Sequence, residues 1–184
     1  MKKLFIPNKD NLNIAVAVHE PKDSNGKLII LCPGFLDTKD YQHLVMIADR
    51  LAEEGYTAVR FDPIGTWESD GGMNDYTPES YIDAIRTIKE YMFDSFGFSS
   101  LIVGGHSRGG RMSIVYGSQD PDVIAVISLM GSTGSLERTY PDPLPEFSSH
   151  TRDLPEDPNK SREFKLPFDL YIRGNNFSTL DAVR

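Results

Sequence analysis

The chain has 184 residues, 39% of them hydrophobic and 10% aromatic, which suits one globular domain with a sizeable buried core. Its formal net charge of −8 is spread along the sequence and argues against nucleic acid as a partner. The apolar start ends at Pro7, and no apolar run approaches the roughly 18 residues of a membrane span. We therefore expect no secretion signal and no membrane segment. With one cysteine and no internal disulfide, the expected location is cytoplasmic.

Strand-like and helical patterns alternate along the first two thirds of the chain. Residues 3–6 and 13–19 predict an antiparallel edge pair around a polar turn. Helical spacing of apolar residues predicts a helix over 41–54 and a second that opens with Thr77 as N-cap and Pro78 as first residue. A third helix is predicted over 110–119. Four β-rich runs stand between these patterns, at 27–31, 57–62, 100–104 and 123–130.

This order predicts an α/β fold, with a doubly wound, mostly parallel sheet covered on both faces. We assign residues 1–131 to this core. The composition changes after this core: prolines recur among charged residues as far as Pro167. Such a segment is too rich in proline for core helices or central strands, so we interpret 132–184 as a lid or cap.

A Gly-x-Ser-x-Gly pattern spans residues 105–109, with Ser107 at its centre. It lies where the strand 101–104 ends and the helix 110–119 begins, which is the context that a nucleophile elbow requires. We expect Ser107 to be a catalytic nucleophile in a tight turn with positive φ. Glycine is expected at 105 and 109 because side chains there would collide where strand and helix approach most closely.

Acyl transfer also requires backbone N–H donors for an oxyanion, and the loop after the first core strand can supply one. The predicted donors are the amides of Phe35 and Arg108, converging on one point about 3 Å from each. Gly34 would let the loop turn beneath the substrate, and the Phe35 side chain would line the acyl pocket. An ordinary strand-to-helix turn at residues 32–35 is the alternative.

Four features in this order make the chain resemble the α/β-hydrolase superfamily from about residue 28 to 130. They are the loop 33–35, the stretch 60–71, the Ser107 turn and the strand that ends at 130. The second is similar to the superfamily turn Asp-x-x-Gly-x-Gly-x-Ser, matched at Asp62, Gly65 and Ser69. Trp67 replaces the second glycine, and we expect its indole at the pocket rim. The resemblance implies that Asp62 organises this turn.

Within the superfamily, the closest likeness is to cinnamoyl and feruloyl esterases. It depends on the Gly-His-Ser-x-Gly-Gly pattern at 105–110 and on the proline-rich insertion. The resemblance implies a serine carboxylesterase that cleaves short-chain or aromatic esters through an acyl-enzyme on Ser107, with no cofactor and no metal. The expected partner is a small-molecule ester.

The resemblance further implies an aspartate and then a histidine after the serine, each at the end of a later strand. Only His150 follows Ser107, and it lies in a polar stretch rather than after a final strand. Residues 168–172 are the nearest match to a missing strand, but Asn-Asn-Phe follows at 175–177, where the aspartate is expected.

The leading hypothesis is therefore that the acid, the base and the last two sheet strands are absent from this chain. It would then turn over little substrate, and the strand 123–130 would be an exposed edge liable to self-association. Two alternatives stay open. One is a complete hydrolase that uses His150, and the other is a non-catalytic binding module on a hydrolase scaffold.

Overall fold

A six-stranded sheet forms the centre of the structure, a computed structural model that describes residues 1–134 and 139–183. Its strand order is β1-β2-β4-β3-β5-β6. β2 is antiparallel to β1 and β4, and the remaining neighbours are parallel. The predicted antiparallel edge and mostly parallel core are confirmed. The strands are β1 (Lys2–Pro7), β2 (Asn13–His19), β3 (Leu28–Cys32), β4 (Thr57–Phe61), β5 (Leu101–His106) and β6 (Val123–Leu129).

Three helices cover the two faces of this sheet, as the alternating pattern predicts. They are α1 (Gln42–Glu53), α2 (Pro78–Phe96) and α3 (Arg108–Gln119). α1 packs on one face through Leu44 and Ala48, against alternate residues of β3 such as Ile29. The larger part of the core lies on the other face, where buried residues of α2 and α3 pack on the intervening positions. The α/β fold class is therefore confirmed.

Local signals set the bounds of α2. The Thr77 side chain accepts a hydrogen bond from the Ser80 amide at 3.1 Å, and the Ser80 hydroxyl accepts one from the Thr77 amide at 3.1 Å. Pro78 follows as the first helical residue, where its missing N–H costs nothing. The helix ends at Gly97, whose φ of 74° is a left-handed conformation that glycine adopts without strain.

A short 3-10 helix (Met73–Asp75) precedes α2, and a second, two-stranded sheet follows the core. It pairs β7 (Phe147–Leu154) with β8 (Asp157–Pro167), and neither strand joins the central sheet, from which the proline content excluded this segment. Pro155 lies in the turn, Pro158 lies in β8 beside the register shift at Asp153 and Leu154, and Pro167 ends the strand, which are positions where sheets tolerate proline. Phe164 and Leu166 of β8 pack into the main core.

Residues 168–172, compared above with a missing strand, instead begin α4 (Phe168–Asn176), and α5 (Thr179–Ala182) follows. The helix forms because Phe168 and Gly174 are buried and Tyr171 is half-buried, a three-residue spacing that places them on one helical face. The assignment of 132–184 to a lid stays a prediction.

β6 is an edge strand: within residues 1–134 and 139–183, no strand pairs with its outer side. Its apolar side chains face solvent, with Ile124 58% and Leu129 50% exposed. This is the exposed edge that the sequence predicts. Self-association through it stays a prediction.

Candidate active site

Ser107 occupies a single-residue turn between β5 and α3. Its backbone has φ 54° and ψ −115°, so the expected positive φ is present. The Ser107 amide donates to the Leu129 carbonyl at 2.8 Å, and its carbonyl accepts from the Arg111 amide at 3.1 Å. A non-glycine residue in this region costs about 1–3 kcal/mol, which the surrounding hydrogen bonds must offset. Such strain is typical of functional positions.

The glycines on either side of Ser107 allow a close approach to the end of β3. A Cβ at Gly109 would collide with the Cys32 carbonyl oxygen and would lie 2.6 Å from the Pro33 carbonyl oxygen. A Cβ at Gly105 would meet the same Cys32 oxygen and the Gly109 carbonyl carbon at 2.7 Å. The loop after β3 and the Ser107 turn are therefore in direct contact.

A cleft of about 250 Å³ opens at this contact. It brings together three of the predicted site residues and several that sequence reasoning did not select. The lining residues are Phe35, Ser107, Arg108, Arg111, Met130, Ser132, His150, Tyr171 and Asn175.

Two backbone amides at this cleft belong to the residues predicted as oxyanion donors. Neither the Phe35 nor the Arg108 N–H donates a hydrogen bond within the part of the chain that the structure describes. The next amide along the loop, that of Leu36, is consumed by the Tyr76 hydroxyl at 2.9 Å. Arg152 from β7 holds the Phe35 carbonyl with two hydrogen bonds of 3.1 and 2.7 Å. The loop is thus anchored while its Phe35 amide stays available.

Gly34 lies beside these donors. A Cβ there would collide with the Asp37 carboxylate and would come within 3.4 Å of His106 Nδ1. Burial raises the pKa of Asp37, and the positive charge of the Arg152 guanidinium 3.7 Å away opposes this rise. Glycine therefore leaves room for this carboxylate beneath the loop. A direct substrate contact of Gly34 stays a prediction.

His150 from β7 lines the same cleft as Ser107. Its Nε2 lies 2.9 Å from the Ser148 hydroxyl, and its ring packs edge-on against Phe35 at 4.9 Å between centroids. Burial lowers the pKa of His150, and the cations Arg152 and Arg108 lower it further. Among the described residues no carboxylate bonds to this ring. His150 therefore lacks here the acid that orients a triad histidine.

Trp67 does not line the Ser107 cleft, so the expectation that its indole forms this pocket rim is corrected. It lines a separate cleft with Glu68 and Arg162. Its Nε1 donates to the Leu36 carbonyl at 2.9 Å, and its ring packs on Phe164 at 5.3 Å. Trp67 has a positive φ of 46° at the position where the resembled turn has a glycine. The indole supports the loop after β3 from outside the cleft.

Asp62 organises the turn after β4, as the resemblance implies. It is fully buried and accepts hydrogen bonds from the Lys39 amide at 2.8 Å, the Lys39 ammonium at 2.9 Å and the Glu68 amide at 3.3 Å. Its carbonyl accepts from the Ser69 hydroxyl at 2.7 Å. This carboxylate is committed to the loops rather than to a histidine.

Sequence reasoning did not select Arg111 or the side chain of Arg108. The guanidinium of Arg108 lies over the ring of Phe35 at 4.6 Å and over that of Tyr76 at 5.0 Å. Arg111 is three residues after Arg108, and this helical spacing places both on one face of α3. That spacing is a signal that the sequence carries.

No group of three His, Cys, Asp or Glu side chains that could hold a metal ion occurs in residues 1–134 and 139–183. Among the helices of this same described part, none is both long and apolar enough to cross a bilayer.

Residues 27–165 match the family model for the alpha/beta hydrolase fold. Polyketide transferase grgF of a Penicillium species is 31% identical over 144 residues, which are 72% of this chain and 46% of that protein. Lipase 1 of Psychrobacter immobilis is 33% identical over 121 residues, which are 65% of this chain and 36% of the lipase.

Among solved structures, Est1E of Butyrivibrio proteoclasticus with ferulic acid bound superimposes with a TM-score of 0.74 at 22% identity. The match covers 98% of this chain and 73% of that chain. At this identity the similarity is one of fold. The chain spans between one third and one half of the length of the curated relatives that it matches.

Proposed function

Because the chain belongs to the alpha/beta hydrolase fold family, we propose that it carries the nucleophile and the oxyanion donors of a serine carboxylesterase. The observation that carries the proposal is the strained Ser107 turn, which opens on a cleft beside two backbone amides that donate no hydrogen bond within the described residues. In this proposal the strand, turn and helix at residues 101–119 form a nucleophile elbow.

The proposed reaction begins with attack of Ser107 Oγ on the carbonyl carbon of an ester. The serine proton passes to a base and then to the leaving alcohol, as the new Oγ–C bond replaces the C–O bond to that alcohol. The amides of Phe35 and Arg108 hold the negative oxygen of the tetrahedral intermediate. Water then hydrolyses the acyl-enzyme, which releases the acid and restores Ser107.

We propose that the base and the acid lie outside these 184 residues. Support comes from His150, which has no bonded carboxylate among the described residues, and from Asp62, which is committed to Lys39. The chain by itself then hydrolyses esters slowly, with oxyanion stabilisation but no base.

The substrates proposed are esters with short-chain or aromatic groups. Apolar walls from Phe35, Met130 and Tyr171 support this choice, because they offer a surface for such groups within a small cleft. Two curated relatives are lipases, which supports an ester as the reacting group.

A second candidate is a complete hydrolase in which His150 is the base. It is favoured by one observation, that His150 lines the same cleft as Ser107. Burial holds this ring neutral near pH 7 and therefore able to accept a proton.

The test compares the 184-residue chain with a version extended to the natural stop codon. Hydrolysis of p-nitrophenyl acetate and covalent labelling by a fluorophosphonate, located by mass spectrometry, are measured for both. We expect labelling at Ser107 in the extended version and hydrolysis lower by several orders of magnitude in the short one. Ser107→Ala should abolish both, whereas Ser118→Ala, on the far end of the same helix, should leave both unchanged.

Three results would contradict the proposed function, and each would lead to a different conclusion. Equal activity of both versions, lost on His150→Ala, would establish the second candidate. Ester binding without covalent labelling in either version would identify a binding module instead. Activity that survives Ser107→Ala would refute both catalytic proposals.

A further inference from the structure

Two arginines of the first turns of α3 line the cleft beside Ser107. Both are more than nine-tenths buried, with Arg108 9% and Arg111 7% exposed. Burial lowers the pKa of Arg111, and the neighbouring charge of Arg108 lowers it further. Two like charges therefore lie close together in a site with little access to water.

Neither cation is neutralised by a carboxylate of the described residues. Arg108 makes no ion pair or side-chain hydrogen bond within residues 1–134 and 139–183, and only aromatic faces hold its guanidinium. Arg111 donates to the Phe177 carbonyl, but its Nε has no partner in the same residues. The amide nitrogen of Asn175, another cleft residue, is also buried without a partner there.

Buried cations elsewhere in this chain are paired. The ammonium of Lys39 lies 2.9 Å from Asp62 and 2.8 Å from Asp40, and Arg60 lies 3.4 Å from Asp40. An unpaired buried charge is strongly destabilising, so such groups are paired or exposed unless a bound ligand neutralises them. The cleft is thus unusual within this molecule, because it holds two buried cations that no carboxylate of residues 1–134 and 139–183 pairs with.

We propose that the Ser107 cleft binds a substrate carboxylate through Arg108 and Arg111. The inference rests on the proposed function, because it takes an ester as the group that reacts with Ser107. The carboxylate, however, is bound by the guanidinium groups of Arg108 and Arg111, which take no part in the proposed reaction. Guanidinium groups bind the two oxygens of a carboxylate with paired hydrogen bonds, which suits this donor set. The substrates are then esters that also carry a free carboxylate, such as half-esters of small dicarboxylic acids, of a size that a cleft of about 250 Å³ accepts.

The test measures binding rather than turnover. Titration calorimetry on the extended version carrying Ser107→Ala compares monomethyl glutarate, which has one carboxylate, with the neutral dimethyl glutarate. We expect the monoester to bind at least tenfold more tightly. Added Arg111→Met or Arg108→Met should remove most of that preference, and Arg111→Lys should restore part of it because the charge returns.

Arg86→Met is the matched control, since it removes an exposed arginine that pairs with Asp83 on α2. It should leave the preference unchanged. Equal or tighter binding of the diester overturns the proposal without any arginine variant, so a variant that fails to fold does not obscure the outcome. An equal loss in Arg86→Met also overturns it, because the effect would then be long-range charge.

Fluorophosphonate labelling of Ser107, measured separately, distinguishes the two levels of inference. Labelling without carboxylate preference refutes the anion site alone. Carboxylate preference without labelling refutes the proposed reaction and leaves the anion site standing.

Discussion

Gly109→Ala tests the close approach on which the Ser107 turn depends. The added methyl group would collide with the Cys32 carbonyl oxygen, and it would lie 2.6 Å from both the Cys32 carbonyl carbon and the Pro33 carbonyl oxygen. All three are backbone atoms, so no side-chain rotation relieves the contact. Either the loop after β3 or the start of α3 must move.

Two opposing contributions set the expected change in the free energy of unfolding of Gly109→Ala. Overpacking a tight contact costs about 1–3 kcal/mol, and a clash with three backbone atoms belongs at the upper end. Alanine gains up to about 1 kcal/mol over glycine in a helix, and Gly109 is within α3. We therefore expect the free energy of unfolding to fall by about 2 kcal/mol. For a chain of this size the melting temperature would fall by about 4–8 °C.

Urea and thermal unfolding followed by circular dichroism measure this change. Gly134→Ala is the matched control, because a Cβ there meets no atom within 4 Å, and it should change stability by less than about 0.5 kcal/mol. Labelling of Ser107 should also slow in Gly109→Ala, since the turn and the donor loop shift together. A melting temperature equal to or above that of the parent chain would refute the claimed backbone contact.

Three further outcomes are expected. Thr77→Ala should destabilise the chain by about 1 kcal/mol in urea unfolding, because the Ser80 amide loses its acceptor; no change would mean that water replaces the cap. Since burial lowers the pKa of His150 below the unfolded value of about 6.5, the unfolded state takes up this proton first, and stability should fall as pH drops below about 6.5. His150→Gln should flatten that dependence, and an unaltered slope would assign it to other groups. Self-association through β6 predicts a dimer or larger species for the 184-residue chain, and Ile124→Lys should return it to a monomer by light scattering; a monomeric parent would contradict this.

The sequence by itself determined the parts whose signals are local. The spacing of apolar residues and the cap at Thr77 defined α2. The glycines around Ser107 predicted a turn with positive φ. Residues 105–109 contain both the strained serine and the two glycines that let the strand and the helix approach closely. The order of strands and helices was sufficient for the α/β class.

Only the tertiary structure decided how the cleft is completed. Arg152 reaches the Phe35 carbonyl across 117 positions of sequence, and His150 arrives on the same hairpin, whose strands the prolines had obscured. The motif placed Trp67 at the pocket rim, yet its indole contacts the Leu36 carbonyl and Phe164 and lines a different cleft. The sequence also could not show that no carboxylate of the described residues pairs with Arg108, because a count of acidic residues does not tell which of them reach a given cation. Local constraints act between neighbours in sequence, whereas charge pairing and cleft lining depend on neighbours in space, which the folded chain alone defines.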